Sequence, residues 1–462
     1  MYDKKAFEFK DTKYRSSILT NGLGKSGERA LLYATGMDEE DIKKPFVAVI
    51  GSFSEMVPGH NHLREIADYV KQGIIEAGGV PRQSETIAIC DGLCQGHEGM
   101  RYPLPSRDLI ADSVEMVVEA HHFDAMVCIA GCDKIIPGML MAAARLDIPA
   151  VIVTGGPMLP GNVNGNPLFC SCELREFPGR VEAGTCTVDE IKEAEKNTLP
   201  TSGSCAHLGT ANSMCMLTEA LGMSLPGAGT APAVSNKRKR IAKASGRAVM
   251  QLLKDGITPR KILTREAFLN GITAAMATGS STNLVLHLMA IAHEAGVELE
   301  LGDFDRISRN VPFVCNLLPS GKYPIVSLDA CNGKNNFDLE IAQQAVRQGF
   351  VPDVISTDIN MVSCFLQPLH SLPRILSKYV DFGMDWMDVL DCATKKPAEL
   401  IGRPELGSMT VGTPADIVIL KHKKKEMLYT DVAGHEFTGH QVFVPQMTFM
   451  DGECVYCQAD FA

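Results

Sequence analysis

The sequence predicts an α/β fold, with parallel sheet layers covered by helices, followed by a smaller α/β tail. Three observations predict it. Apolar runs of strand length recur, each closed by a glycine-bearing turn: 46–50 before Gly51, 126–129 before Gly131, and 150–154 before Gly155. Amphipathic helical runs alternate with them, as a sheet covered on both faces requires. From about Lys322 the character shifts to short strands in a tail rich in Gly, His and Pro.

Taken in order, residues 27–35 read as a helix and 46–50 as a strand. Residues 61–77 carry helical periodicity that Gly78-Gly79 stops. Residues 86–90 read as the next strand, closed by Asp91-Gly92, and 109–120 as a helix. The buried run 124–129 leads through Gly131-Cys132-Asp133-Lys134 into a helix over 138–146, and 150–154 is a further strand. Helices follow over 212–221, 237–254, 265–279 and 283–295, the last after Gly279-Ser-Ser-Thr282, a natural cap. In the tail, 324–329 and 353–358 read as strands around a helix at 338–348. Residues 386–393 and 398–401 look helical, and 416–420 and 441–449 are short strands.

The 462 residues favour two or three domains. Apolar content of 45% and charged content of 21% are ordinary for a globular protein. No apolar run reaches the roughly 18 residues of a spanning helix, and residues 1–11 hold no apolar signal core. A cytoplasmic protein without a membrane partner is expected. The net charge of −11 opposes a nucleic-acid partner, and the basic run Lys237-Arg-Lys-Arg240 reads as a solvated helix face. Fifteen cysteines, an odd number without a signal peptide, imply free thiols, some of them metal-bound. Cys454-x-x-Cys457, Cys170-x-Cys172 and Cys186 remain uncommitted.

Chemistry concentrates in three Gly-flanked clusters, at 89–100, 131–134 and 202–205. Cys132, Asp133 and Lys134 lie where a strand's carboxyl end turns into a helix, the place where open α/β sheets bind ligands. Asp91 and Asp133 are hard donors suited to Mg²⁺. Cys132 and Cys205 are soft donors suited to iron. Lys134 beside two carboxylates is a counter-ion or, once carbamylated, an anionic oxygen ligand. A structural turn with a half-buried thiol explains the tripeptide equally well.

Longer stretches narrow this choice: Val57-Pro-Gly-His-Asn-His-Leu63, Gly96-His-Glu-Gly-Met-Arg-Tyr102, Leu104-Pro-Ser-Arg-Asp-Leu-Ile-Ala-Asp-Ser113, Pro137-Gly-Met-Leu-Met-Ala-Ala-Ala-Arg-Leu146, Gly203-Ser-Cys205, Thr210-Ala-Asn-Ser-Met214, Glu219-Ala-Leu-Gly-Met-Ser-Leu-Pro226 and Ser280-Ser-Thr-Asn283. Across residues 15–323 the chain resembles the dihydroxy-acid dehydratase and 6-phosphogluconate dehydratase family. The resemblance implies a hydro-lyase that dehydrates a 2,3-dihydroxy acid to a 2-keto acid, as in branched-chain amino-acid biosynthesis, and acts as a homodimer. It makes Cys132 and Cys205 ligands of an iron–sulfur cluster, [2Fe–2S] or [4Fe–4S]. Asp91 and Asp133 become Mg²⁺ ligands and Lys134 the carbamylated lysine bridging metal. His60, His62 and His97 orient substrate or are structural, and Cys90 and Cys94 read as inert thiols.

Two departures stand out. By the resemblance, Leu199 and Ser202 stand where cysteines are common in the family, and Gly59 where other branches carry a cluster cysteine. The family's second domain, with its Mg²⁺-binding glutamate and its serine in a Gly-Arg-Phe-Ser-Gly-like turn, has no counterpart in the sequence. Instead, Ser327-Leu-Asp-Ala-Cys-Asn-Gly333, Pro352-Asp-Val-Ile-Ser-Thr-Asp358 and Val411-Gly-Thr-Pro-Ala-Asp-Ile-Val-Ile-Leu420 resemble the end of an amidohydrolase-type barrel. That resemblance makes Asp358 a metal ligand and base, although Asn332 replaces an expected histidine. The expected organisation is a dehydratase-like domain at 1–323 and an amidohydrolase-like segment at 324–462. A hydrolase using Asp358 and a non-catalytic remnant are the alternatives.

Overall fold

The computed structural model describes residues 4–163, 166–168, 170–313, 315, 317–320, 325, 329–331, 339–347, 351–352, 354–356, 371–430 and 436–458. The chain forms two compact units. One comprises Met1–Gly161, Leu168–Phe313 and Leu317–Val326; the other comprises Asn162–Pro167, Val314–Asn316 and Ser327–Ala462.

In the first unit, strands β1 (Phe46–Gly51), β2 (Val80–Glu85), β3 (Ala125–Ala130) and β4 (Ala150–Thr154) pair in the order β2-β1-β3-β4, all parallel. β1, β3 and β4 are buried at every position, which is why they read as unbroken apolar runs. Their side chains alternate between two cores. Phe46, Ala48, Ile50, Met126, Cys128 and Ile152 meet the helices Pro103–Ala120, Ile135–Leu146, Thr210–Ala220, Arg265–Thr278 and Asn283–Ala295. Val47, Val49, Val127, Ile129, Val151 and Val153 meet Leu63–Glu76 and Asn236–Asp255. The chain leaves β1 for β2 on one side and returns to β3 on the other. The loops after β1 and β3 therefore part, and this switch point is where a ligand crevice forms.

Three expectations need correction. The second strand is Val80–Glu85, not 86–90: it sits at the sheet's edge, where Pro81, Arg82 and Gln83 are tolerated and the apolar signal fades. The helix after Lys134 starts at Ile135, because Pro137 lies within the first turn, where its missing N–H costs nothing. The basic run is not wholly solvated, since Arg238 is fully buried.

β5 (Gly161–Val163) and β6 (Asn166–Leu168) make a two-stranded sheet. In the second unit, β7 (Asp329–Cys331) and β8 (Val354–Ser356) pair in parallel, with the helix Leu339–Arg347 between them in sequence. The remaining parts of the strands expected at 324–329 and 353–358 lie largely outside the described residues. An antiparallel sheet, ordered β11-β10-β9, is built from β9 (Ile417–Thr430), β10 (Glu436–Met450) and β11 (Glu453–Cys457). β9 and β10 are far longer than the short strands expected, because the polar run from Lys421 to Glu426 hides the strand pattern; Lys423, Lys424 and Lys425 are exposed. Ile375, Leu376, Tyr379, Phe382, Val389, Tyr429 and Phe443 form this unit's core. Cys454 and Cys457 are exposed on β11, and residues three apart on a strand point to opposite faces. Among the described residues, no helix is long and apolar enough to cross a membrane.

Candidate active site

β3 ends at Ala130, and Gly131-Cys132-Asp133-Lys134 turns directly into the Ile135–Leu146 helix. Ile136 N–H donates to the Cys132 carbonyl (3.3 Å) and Gly138 N–H to that of Lys134 (3.1 Å). Asp133 thus sits at the helix's N-terminal end, where the macrodipole favours a carboxylate. Beyond β2, Asp91 opens the short helix Asp91–Cys94. Cys205 lies in the loop before the Thr210–Ala220 helix. Main-chain bonds stitch that loop to its neighbours: Gly203 N–H to Pro58 O (2.9 Å), Ser204 N–H to Gly156 O (3.0 Å) and Met158 N–H to Ser204 O (2.8 Å). The Asn212 amide donates to the carbonyls of Cys205 (2.5 Å) and His207 (2.8 Å).

These loops bring Asp91, Cys132, Asp133 and Cys205 to the wall of one cavity of about 250 Å³. The Lys134 ammonium donates to Asp91 Oδ2 at 2.5 Å and lies 3.6 Å from Asp133 Oδ2. Burial raises the Asp133 carboxyl above its ordinary range; the charge of Asp91 adds to this and Lys134 opposes it. Burial likewise holds the Cys132 thiol well above its ordinary range. A soft metal would have to displace that proton, so loading would release acid.

Of the three histidines singled out in the sequence, each bonds main chain. His60 Nδ1 meets Ser52 O (2.6 Å), His62 Nε2 meets Gly155 O (3.0 Å), and His97 Nε2 meets Leu93 O (2.9 Å). Burial lowers the His60 imidazole to about 4, and burial with the nearby Lys134 and Arg107 charges lowers His287 to about 3. Both folded values lie below the ordinary value near 6.5. The unfolded chain therefore takes up protons first as pH falls. The contribution of these two histidines to stability is full above about pH 6.5 and is lost towards pH 4 and below. Urea unfolding is expected to show a loss on the order of 3 kcal/mol from His60 alone between pH 7 and 4, and a His60→Gln chain should show a shallower pH slope.

Two loops approach each other backbone to backbone. A Cβ on Gly131 would collide with the Gly59 carbonyl oxygen, and one on Gly59 would sit 2.7 Å from Cys132 Sγ. Because main chain is the obstacle, Gly131→Ala is expected to cost about 1–3 kcal/mol, measured as a shift in the urea midpoint.

One constellation escaped the sequence reading. Cys170 joins Cys205 and His207, with ligand atoms all within 4.8 Å of one another. The Cys205-x-His207 and Cys170-x-Cys172 spacings were the available signals, the second left uncommitted; only the fold brings Cys170 to the site. Cys90 and Leu199 also line the cavity. Asp358 and Asn332 lie outside the described residues.

Residues 44–352 match the family described as "Dihydroxy-acid/6-phosphogluconate dehydratase N-terminal". The chain belongs to this family. Residues 313–455 match a second family, described as "Amidohydrolase family". A dihydroxy-acid dehydratase of Halothermothrix orenii is 49% identical over 351 residues, 75% of this chain and 64% of its own. Another, from Caldanaerobacter subterraneus, is 50% identical over 322 residues, 69% of this chain and 57% of its own. The family member described here thus spans less than two thirds of the length of these curated relatives. A solved dihydroorotase aligns over 39% of this chain and 41% of its own at 22% identity, with a TM-score of 0.27, too low to bear on the fold.

Proposed function

We propose that the chain is a hydro-lyase of the dihydroxy-acid dehydratase type, converting a 2,3-dihydroxy acid to a 2-keto acid in branched-chain amino-acid biosynthesis. In this reading residues 1–323 are the dehydratase domain and 324–462 an appended segment, in a cytoplasmic homodimer. The observation that carries it is the shared cavity of Asp91, Cys132, Asp133 and Cys205 at the carboxyl ends of parallel strands.

The residues present fit both cofactors of the reading. The Asp91 and Asp133 carboxylates converge on one cationic point, now the Lys134 amine, which a hard cation matches. Cys132 and Cys205 border the same space with soft donors. When bound, Mg²⁺ supplies polarisation of the substrate's carboxylate and 2-hydroxyl, and an iron–sulfur cluster supplies a Lewis acid for the 3-hydroxyl. Asp91 and Asp133 would hold the hard cation. Lys134, if carbamylated by CO₂, would first give up its ammonium proton and lose a second as the N–C bond forms, turning from donor into anionic oxygen ligand. The family's serine turn has no counterpart here, so the base is unassigned and turnover is expected to be impaired.

Iron and sulfide analysis of anaerobically prepared protein, alongside keto-acid formation from 2,3-dihydroxy-isovalerate and from gluconate, tests the reading. Iron with sulfide and any metal-dependent keto acid support it; colourless, iron-free protein without turnover favours a non-catalytic remnant. The amidohydrolase match at 313–455 supports a second reading, a metal-dependent deacetylase using Asp358. A divalent-metal-dependent deacetylation that survives Asp358→Ala would remove it.

A further inference from the structure

We propose that Cys170, Cys205 and His207 form a site for a single soft or borderline divalent cation, with Zn²⁺ as the best match. This goes beyond the dehydratase reading and concerns the chain before any cluster is loaded, since Cys205 cannot serve both. The three ligand atoms lie within 4.8 Å of one another. Two atoms each about 2.3 Å from one ion are at most about 4.6 Å apart, so closing on a single ion needs only small side-chain movement. A cluster instead distributes its thiolates over different irons. Cys132 lines the same cavity yet stands outside the compact triad.

The donor chemistry agrees. Two thiolates and an imidazole make a Cys₂His set, which zinc accepts with a fourth position left for water or substrate. Both Cys205 and His207 are held by the Asn212 amide through their carbonyls. The Cys172 N–H donates to Cys170 Sγ at 3.1 Å and fixes that sulfur in place, while the Cys205 side chain and burial hold the thiol up at about 11, so a metal would have to displace its proton. The His207 ring meets the Cys170 thiol side chain to side chain, so a cation would take the place of the proton between them. All three residues line the cavity that also holds Asp91 and Asp133.

The test uses the full chain in a Cys454→Ser, Cys457→Ser background, stripped with a chelator under reductant and titrated with Co²⁺ alone. One Co²⁺ per chain is expected, with thiolate-to-cobalt charge transfer and tetrahedral ligand-field bands, displaced by Zn²⁺. His207→Ala and Cys170→Ser should each weaken binding on the order of a hundredfold, while Cys132→Ser leaves it unchanged. Absence of the charge-transfer band in a chain folded by circular dichroism would overturn the proposal. So would parental affinity in His207→Ala, or equal losses in Cys132→Ser and Cys170→Ser. Should Cys170→Ser fail to fold, His207→Ala and the conservative His207→Gln carry the test. None of these readouts depends on turnover or iron, so failure here is distinguishable from failure of the dehydratase reading.

Discussion

Asp91→Asn is expected to lower keto-acid formation from 2,3-dihydroxy-isovalerate on the order of a thousandfold, given the proposed function. Asparagine keeps the side chain's size and one carbonyl oxygen but removes the charge. The Lys134 ammonium then retains only Asp133, 3.6 Å away, in a pocket where Asp91 and Lys134 side chains are 13% and 9% exposed. Mg²⁺ affinity, read by calorimetry on the same variant, should fall with the rate, since one of two carboxylates facing the cation is gone. The Asp133 carboxyl, raised by burial first and by the Asp91 charge second, should move back down. Wild-type turnover by the Asp91→Asn chain would count against the dehydratase assignment.

The largest expected stability effect lies away from the chemistry. Arg238→Met should destabilise the first unit by roughly 3–5 kcal/mol, read from the urea midpoint. The guanidinium is fully buried and donates to Thr154 O (2.8 Å), to Thr154 Oγ1 (3.1 Å) and to the Ala231 carbonyl. It thereby ties the end of β4 to the loop before the Asn236–Asp255 helix. Burial lowers it to about 10, so it remains charged at neutral pH. Methionine fills most of the volume but leaves those oxygens without their donor. Gly156 provides the room, as a Cβ there would sit 2.5 Å from Arg238 Nη2. Arg238→Lys should recover only part of the loss, because an ammonium cannot span the acceptors as the planar fork does. A cost below about 1 kcal/mol for Arg238→Met would show that the fork is dispensable.

Arg238 also marks where sequence reading stopped. In Lys237-Arg-Lys-Arg240 nothing distinguishes the residue that turns inwards; only the packing of its helix against β4 does. β1, β3 and β4 were legible because double-sided burial writes itself as continuous apolar sequence. β2 was not, since an edge strand is free to be polar. Cys132 to Lys134 could be placed from the strand-to-helix change, and Asp91 from its Gly-flanked turn. Cys170 could not, because its neighbours Cys205 and His207 are distant in sequence and meet it only after the loops fold.

β9 lies at the outer margin of its sheet among the described residues, and Lys423, Lys424 and Lys425 crowd along it. Like charges there repel an incoming extended chain, the ordinary protection of an open margin against fibril growth. That protection reaches only as far as the ionic atmosphere permits, about 10 Å at 0.1 M salt. Tolerance of crowding by this segment is therefore set by the surrounding electrolyte: dilute buffer keeps neighbouring copies apart, and concentrated salt lets them approach.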